Sequence, residues 1–317
     1  MRRLLLASGA LMVCGAAVIY GGMRLFVAPG PLPAATAIVV PRGGLAAVAQ
    51  ALAADGVIRS PVFFRIAAAL TSPEGPLHAA ELEFPPTASV RDVLAVLRFG
   101  RPIQHRITFA EGLTAAQISQ VLARTDSLSG DVPVPVEGWV LPETYVFERG
   151  GSRASVVAEA TSAMDRHLAA EWARRVPGLP LHTMRDALIL ASVVEREARL
   201  ATERPMIARV FLNRLSLGMR LQADPTAAYS ADGGLGRSDR ALDHADLEQA
   251  GPYNTYEVPA LPAGPICSPG IAAIRAVLHP ATGNALYFVA DGSGGHLFTD
   301  RLSVHDSNVA HLRATGR

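Results

Sequence analysis

The stretch Leu188-Ile189-Leu190-Ala191-Ser192-Val193-Val194-Glu195-Arg196-Glu197 constrains the fold more than any other in the chain. It contains neither Gly nor Pro and is mostly apolar, so it predicts a helix that must be buried. Its two carboxylates stand at i and i+2, which a helix of about 3.6 residues per turn directs to nearly opposite faces. Glu197 follows Val194, Val193 and Leu190 at i+3, i+4 and i+7 and continues an apolar stripe, whereas Glu195 sits above Ala191 and can pair with Arg199 at i+4. The expectation is one walled-in carboxyl and one solvated one. Desolvation raises a carboxyl pKa, as a general acid working near neutral pH requires. An ordinary charged helix end would use the same two residues.

Composition narrows the remaining chemistry. With 317 residues, half of them apolar, the chain can build a core and about two domains. A formal charge of +1 and the lack of a basic block argue against a nucleic-acid partner. The sequence has no lysine at all, which removes the P-loop lysine, the Ser-x-x-Lys nucleophile and the Schiff-base lysine. Cys14 and Cys267 lie too far apart in context to read as a disulfide framework. The nine histidines show no H-x-x-x-H pair, so no metal site and no cofactor is expected, and Gly292-Ser293-Gly294 lacks the setting of a serine nucleophile.

Met1-Arg2-Arg3 precedes an apolar run over residues 4–23, with a Pro/Gly-rich linker over 29–35. A run of about 20 apolar residues can span a bilayer, and the arginines ahead of it favour a cytoplasmic N-terminus. Residues 1–28 are therefore expected to be a single-pass transmembrane anchor with the rest of the chain outside the cytoplasm. A cleaved signal peptide, or a lipoprotein attached through Cys14, would place the chain in the same compartment.

Beyond the linker, 36–40 reads as a strand, 45–54 as a helix, Ser60-Pro61 as the N-cap and first turn of a second helix, and 81–84 as a strand. This βααβ order resembles the LysM-like module of cell-wall proteins, and a plain spacer fits it as well. A capped helix comes next over 89–98, then a strand over 104–109 and a helix ending near Arg124. Residues 126–135, rich in Ser, Gly, Pro and Asp, form the expected linker between a 36–125 region and a 126–317 catalytic domain. Glu137-Gly138-Trp139 through Glu143-Thr144-Tyr145 suits either sugar stacking or a core edge. Further helices are expected over 153–173, from an N-cap at Thr202 to Leu217, from Ser268-Pro269 to Leu278 and over 303–313. The segment 237–249 reads as partly helical. A β-hairpin is expected over 286–299, with its turn at 291–295. The fold class expected is α+β.

Several of these segments carry a family resemblance. Glu137-Gly138-Trp139, residues 191–198, Phe211-Leu212-Asn213-Arg214-Leu215, residues 218–226 and Tyr253-Asn254-Thr255-Tyr256 resemble the endolytic murein transglycosylase family, MltG or YceG-like. So do Leu261-Pro262, Gly264-Pro265-Ile266, His279-Pro280, and 286–290 with Gly294-Gly295-His296 and Phe298. The resemblance runs in order from about Val39 to the C-terminus. It implies a lytic transglycosylase of the bacterial inner membrane, with a LysM-like part ahead of a catalytic domain whose helix carries the essential glutamate. Its substrate would be nascent peptidoglycan, cut between N-acetylmuramic acid and N-acetylglucosamine to leave a 1,6-anhydro end, and its partners glycan strands, the membrane and peptidoglycan synthases. Where members of the family carry an Ala-Gly-x-Tyr turn, this chain has His78-Ala79-Ala80-Glu81, without the Gly and Tyr.

The second acid of the Glu-x-Glu pair, Glu197, matches the family's catalytic position. The resemblance further implies that Gln222, Asp224 or Asn254 stabilises the oxocarbenium-like charge and that Arg214 and Arg220 meet peptide or lactyl carboxylates. Glu195, Asn213, Tyr253, Tyr256 and His296 would support the site. Glu195 equally fits a surface pair with Arg199, and His296 an ordinary strand residue. A hydrolytic muramidase and a non-catalytic glycan-binding scaffold are the competing functions.

Overall fold

The computed structural model describes residues 2–236 and 242–314, with side chains from Met12 onward. Its contacts divide into two compact units, residues 1–105 with 146–150, and residues 106–145 with 151–317.

The first unit opens with helix α1 (Arg2–Val27), then strand β1 (Thr36–Val39), helices α2 (Leu45–Ala54) and α3 (Pro61–Leu70), strand β2 (Glu81–Phe84) and helix α4 (Val90–Phe99). Strand β3 (Gln104–Thr108) comes after them. The βααβ order expected from the sequence is present, because its boundaries are chemically marked. Ser60 accepts the Phe63 N–H at 3.2 Å with Pro61 in the first turn of α3, and Ser89 and Asp92 form a reciprocal capping box on α4. β1 and β2 pair antiparallel, with Thr36 opposite Phe84 and Val39 opposite Glu81. Leu52, Phe64, Leu82, Phe84, Leu94 and Leu97 fill the core between the pair and the helices. Among the described residues no helix is long and apolar enough to cross a membrane. The side chains of residues 1–11, which begin the expected anchor, lie outside the described residues, and the part of α1 from Met12 onward is shorter than the roughly 20 residues a span needs.

The second unit begins with helix α5 (Ala115–Ala123) and the short strand β4 (Leu128–Ser129). Strand β5 (Thr144–Glu148) follows, and β6 (Gly151–Ser152) runs parallel to β4. Residues 126–135, expected as a linker, thus lie within this unit. Then come the helices α6 (Arg153–Ala173), α7 (Met184–Glu197), α8 (Arg204–Ser216), α9 (Asp224–Asp232), α10 (His244–Glu248) and α11 (Ile271–Leu278). The hairpin of β7 (Tyr287–Ala290) and β8 (His296–Thr299) and helix α12 (Leu302–Ala314) complete it.

Helix α7 is the centre of this unit. Every residue from Ala187 to Val194 is buried, and α6, α8, α9 and α11 all pack on it. A helix wrapped on all sides, rather than along one stripe, leaves Glu195 no open face to turn to. Two helix starts differ from expectation. The segment at Thr202 forms a 3-10 turn, Ala201–Glu203, and α8 begins at Arg204 with Pro205 in its first turn and no side-chain cap. α11 begins after Gly270 rather than at Ser268, whose backbone is held by the 112–113 turn: its N–H donates to Leu113 O and its carbonyl accepts from Gly112 N. Of the expected partial helix over 237–249, α10 is present, while 237–241 lie outside the described residues.

The acidic and aromatic segment after residue 136 is a core edge. Both Glu137 carboxylate oxygens accept from Ala115 N at the start of α5, and Tyr229 Oη donates to Oε2. Trp139 donates to Asp165, and the buried Tyr145 hydroxyl donates to Leu141 O.

Candidate active site

Glu197 is the last residue of α7, where the helix closes on Ala198 and the chain turns extended. A carboxylate there meets the negative end of the helix dipole. The residue as a whole is half-buried, yet its Oε2 is sealed from solvent with no hydrogen-bond partner. Burial, the nearby charge of Asp224 and, in the opposite sense, the Arg214 guanidinium place its pKa at about 7. It opens into a cleft of about 870 Å3 shared with Asp224, Arg196, Arg199, His296 and the glycines of the hairpin turn.

Asp224 begins α9, where an acid suits the N-terminal dipole, and its Oδ1 accepts the Tyr256 hydroxyl at 2.6 Å. Its position is set by two fully buried threonines. Thr226 Oγ1 donates to Ala223 O at 2.6 Å and accepts the Thr255 N–H, while Thr255 Oγ1 accepts the Ala223 N–H. The two hydroxyls are 2.7 Å apart. Gln222, at φ +50°, completes this turn by donating its N–H to Thr255 O and leaves its side chain exposed. Neither threonine stands out in the sequence, because a buried hydroxyl staple and a surface threonine read alike.

Glu195 is not solvated and does not pair with Arg199. Its Oε1 accepts Arg204 Nη2 at 2.7 Å and its Oε2 accepts Gly270 N at 2.9 Å. The same Nη2 reaches Glu111 Oε2 at 3.2 Å. With only 5% of its side chain exposed, Glu195 has a pKa raised by burial and held back by the Gly270 N–H and Arg204. The face of α7 expected to meet water is covered by α8 and α11. Glu195 therefore supports the site by fixing the start of α11. A Cβ at Gly270 would lie 1.9 Å from Glu111 Oε1 and would push that side chain aside.

Arg214 and Asn254 are likewise spent on the backbone. Arg214, buried, donates Nε to Leu286 O and Nη1 to Leu221 O, each at 2.7 Å, and lies over the Tyr287 ring. Its Nη1 also reaches Gln222 Oε1 at 3.4 Å. Asn213 donates to Ala285 O, and Arg220 to Tyr256 O. Asn254, fully buried, donates to the carbonyls of Asp246, Leu247 and Gln249 and accepts Tyr256 N, so it stabilises the 246–256 turn rather than a transition state. Tyr253 packs on Tyr229, ring centres 4.9 Å apart. His296 Nδ1 meets Glu203 Oε2 at 2.7 Å. The sequence pattern gives no reason to single out Glu203, which lies in the mixed stretch Arg199-Leu200-Ala201-Thr202-Glu203-Arg204. Of the expected site residues the structure thus brings Glu197, Asp224 and His296 into one cleft, with Tyr256 on Asp224. Among the described residues no group of three His, Cys, Asp or Glu side chains is placed to hold a metal ion.

Known proteins of related sequence and fold identify the family. An endolytic murein transglycosylase of Bacillus subtilis is 33% identical over 181 residues, covering 57% of this chain and 49% of its own length. One of Streptococcus pneumoniae is 34% identical over 203 residues, covering 61% of this chain and 36% of its own. The chain therefore spans half or less of the length of these curated relatives. The crystal structure of a YceG-like protein from Listeria monocytogenes superposes with a TM-score of 0.55 at 25% identity, covering 86% of this chain and 98% of that one. Residues 38–311 match the profile of the YceG-like family, and the chain belongs to that family.

Proposed function

We propose that the chain is an endolytic lytic transglycosylase of peptidoglycan with Glu197 as its single acid/base. The observation that carries this reading is the Glu197 carboxyl, its Oε2 buried and unpartnered, its pKa at about 7, opening on a cleft. Such a group is protonated often enough at neutral pH to donate to a glycosidic oxygen and basic enough to take a proton back. As the bond between N-acetylmuramic acid and N-acetylglucosamine breaks, Glu197 protonates the departing oxygen. The resulting carboxylate then takes the proton of the muramoyl 6-hydroxyl while that oxygen attacks C1. The product is a 1,6-anhydro end and no water is consumed. Asp224, held by the Tyr256 hydroxyl, faces the charge that develops at C1. The names of the relatives support this substrate class.

Asp224 also favours one rival, because a second carboxylate in the cleft is what a hydrolytic muramidase would use. Mass spectrometry of products from uncrosslinked glycan strands decides between them. Anhydro ends absent from Glu197→Gln are expected, and reducing ends would mean hydrolysis. Retained turnover in Glu197→Gln would remove the acid/base assignment altogether.

The same reading extends to the cell. α1, which opens on the pair Arg2-Arg3 and carries exposed Met12, Val13, Val18 and Ile19, would anchor the chain in the inner membrane with the catalytic unit outside the cytoplasm, where it could end strands made by neighbouring synthases. The βααβ module would be the LysM-like part. Its groove, about 530 Å3, is lined by no Trp, Tyr or Phe, so a weak grip on glycan is expected of it. Protease accessibility of a C-terminal tag in spheroplasts tests the orientation.

A further inference from the structure

The hairpin wall of the cleft carries a second built feature. Glu203, at the end of the 3-10 turn before α8, holds His296 twice: Oε1 accepts its backbone N–H at 2.8 Å and Oε2 meets Nδ1 at 2.7 Å. Both side chains are largely buried, 12% exposed for His296 and 17% for Glu203. The imidazole stands edge-on to Phe288, ring centres 5.3 Å apart. The arrangement needs Gly295, where a Cβ would come within 2.9 Å of Glu203 Oε1 and 3.0 Å of Asp291 Oδ2. Asp291 in turn orders the hairpin tip by accepting the N–H groups of Ser293 and Gly295.

A carboxylate oxygen accepts, so Nδ1 carries the proton, and in a neutral imidazole the other nitrogen is then an acceptor. His296 lines the cleft that Glu197 opens into, and Nε2 is its remaining polar atom. We propose that His296, with its tautomer and angle fixed by Glu203, is a glycan-binding residue whose Nε2 accepts a hydrogen bond from a sugar hydroxyl or N-acetyl N–H of the bound strand. Glu203 is its positioning residue. The proposal rests on the glycan-cleaving function above and adds a contact on the wall that Glu197 does not supply.

The test uses the full chain and soluble uncrosslinked glycan strands. His296→Asn keeps an amide near the Nδ1 position, and with it the tie to Glu203, but removes Nε2. We expect kcat/KM to fall about tenfold, mostly through KM, with an unchanged thermal midpoint. Nitrogen NMR of the wild-type imidazole should show Nδ1 protonated and Nε2 bare, and Glu203→Gln should broaden that single tautomer into a mixture. His296→Asn cleaving with unchanged kcat/KM, or a wild-type imidazole protonated at Nε2, overturns this inference and leaves the Glu197 reading standing. If the wild type binds strands without cutting them, a matching loss of affinity in His296→Asn sustains the inference while the catalytic reading fails. Strands neither bound nor cut overturn both.

Discussion

Replacing Glu197 by Gln should reshape the pH dependence of stability in a way no exposed carboxyl could. In the unfolded chain the carboxyl ionises near its ordinary 4.5, and in the folded protein near 7. Between those values the unfolded state has lost its proton and the folded state has kept it, so raising the pH stabilises the unfolded chain selectively. The stability this carboxyl allows is complete below pH 4.5 and is lost as pH rises toward 7. Integrated from pH 4 to pH 8, the loss is about 3 kcal/mol. Gln cannot ionise, so the variant should escape that loss. A buried amide has its own cost of roughly 1–3 kcal/mol when unpartnered, but that cost is the same at every pH and cancels when the two pH values are compared. Denaturant titrations at pH 4 and pH 8 supply the measurement. The chain's two tryptophans, Trp139 and Trp172, both lie in the second unit, so their fluorescence follows that unit alone. The stability difference, variant minus wild type, should grow by about 3 kcal/mol between the two conditions. Parallel profiles would refute the reasoning, because they would mean that Glu197 is solvated. The same desolvation should place the alkaline limb of kcat/KM near pH 7, and Asp224→Asn should move that limb to lower pH, since Asp224's charge is one cause of the raised pKa.

Two substitutions separate scaffold from site. Arg204→Met leaves Glu195 buried beside Gly270 without its cation and should destabilise the second unit by about 3 kcal/mol in the same fluorescence assay, with Glu195→Gln in the same chain recovering part of the loss. Asn254→Ala strips the donor from three carbonyls and should cost about 3 kcal/mol at neutral pH, while the kcat of the remaining folded enzyme changes by less than about twofold. A large loss of kcat at full stability would return Asn254 to the chemistry.

The elements whose ends carry local chemistry are legible in the sequence. Ser60-Pro61, the Ser89 and Asp92 capping box and the glycine-rich hairpin turn each act within a few residues, and each marks its element. The burial of Glu197 is legible for the same reason, since helical spacing alone puts it on the apolar stripe. Spacing misplaces Glu195 because its partners, Arg204 and Gly270, stand 9 and 75 residues away. Periodicity separates the faces of a helix but says nothing about how many of them are covered, and α7 is covered all round from Ala187 to Val194. The polar residues of the later motifs raise the opposite difficulty. Asn254 and Arg214 look like ligand-binding groups in a sequence, yet each donates to main-chain carbonyls that only the folded chain brings to it. Thr226, Thr255 and Glu203 carry no signal of their own, because hydroxyls and acids in polar segments are usually solvated.

The carbonyl contacts of Arg214 and its neighbour Asn213 also bear on binding. Through them the end of α8 grips residues 285–286 of the approach to β7 and residue 221 of the approach to α9, so the segments leading to both walls of the cleft hang from one buried helix. A polysaccharide brings many rotatable bonds to its receptor, and a receptor that also had to order its own loops would bind it weakly. Here the loops' ordering entropy is met when the chain folds, which would leave the stiffening of the proposed glycan strand as the main conformational cost of each encounter.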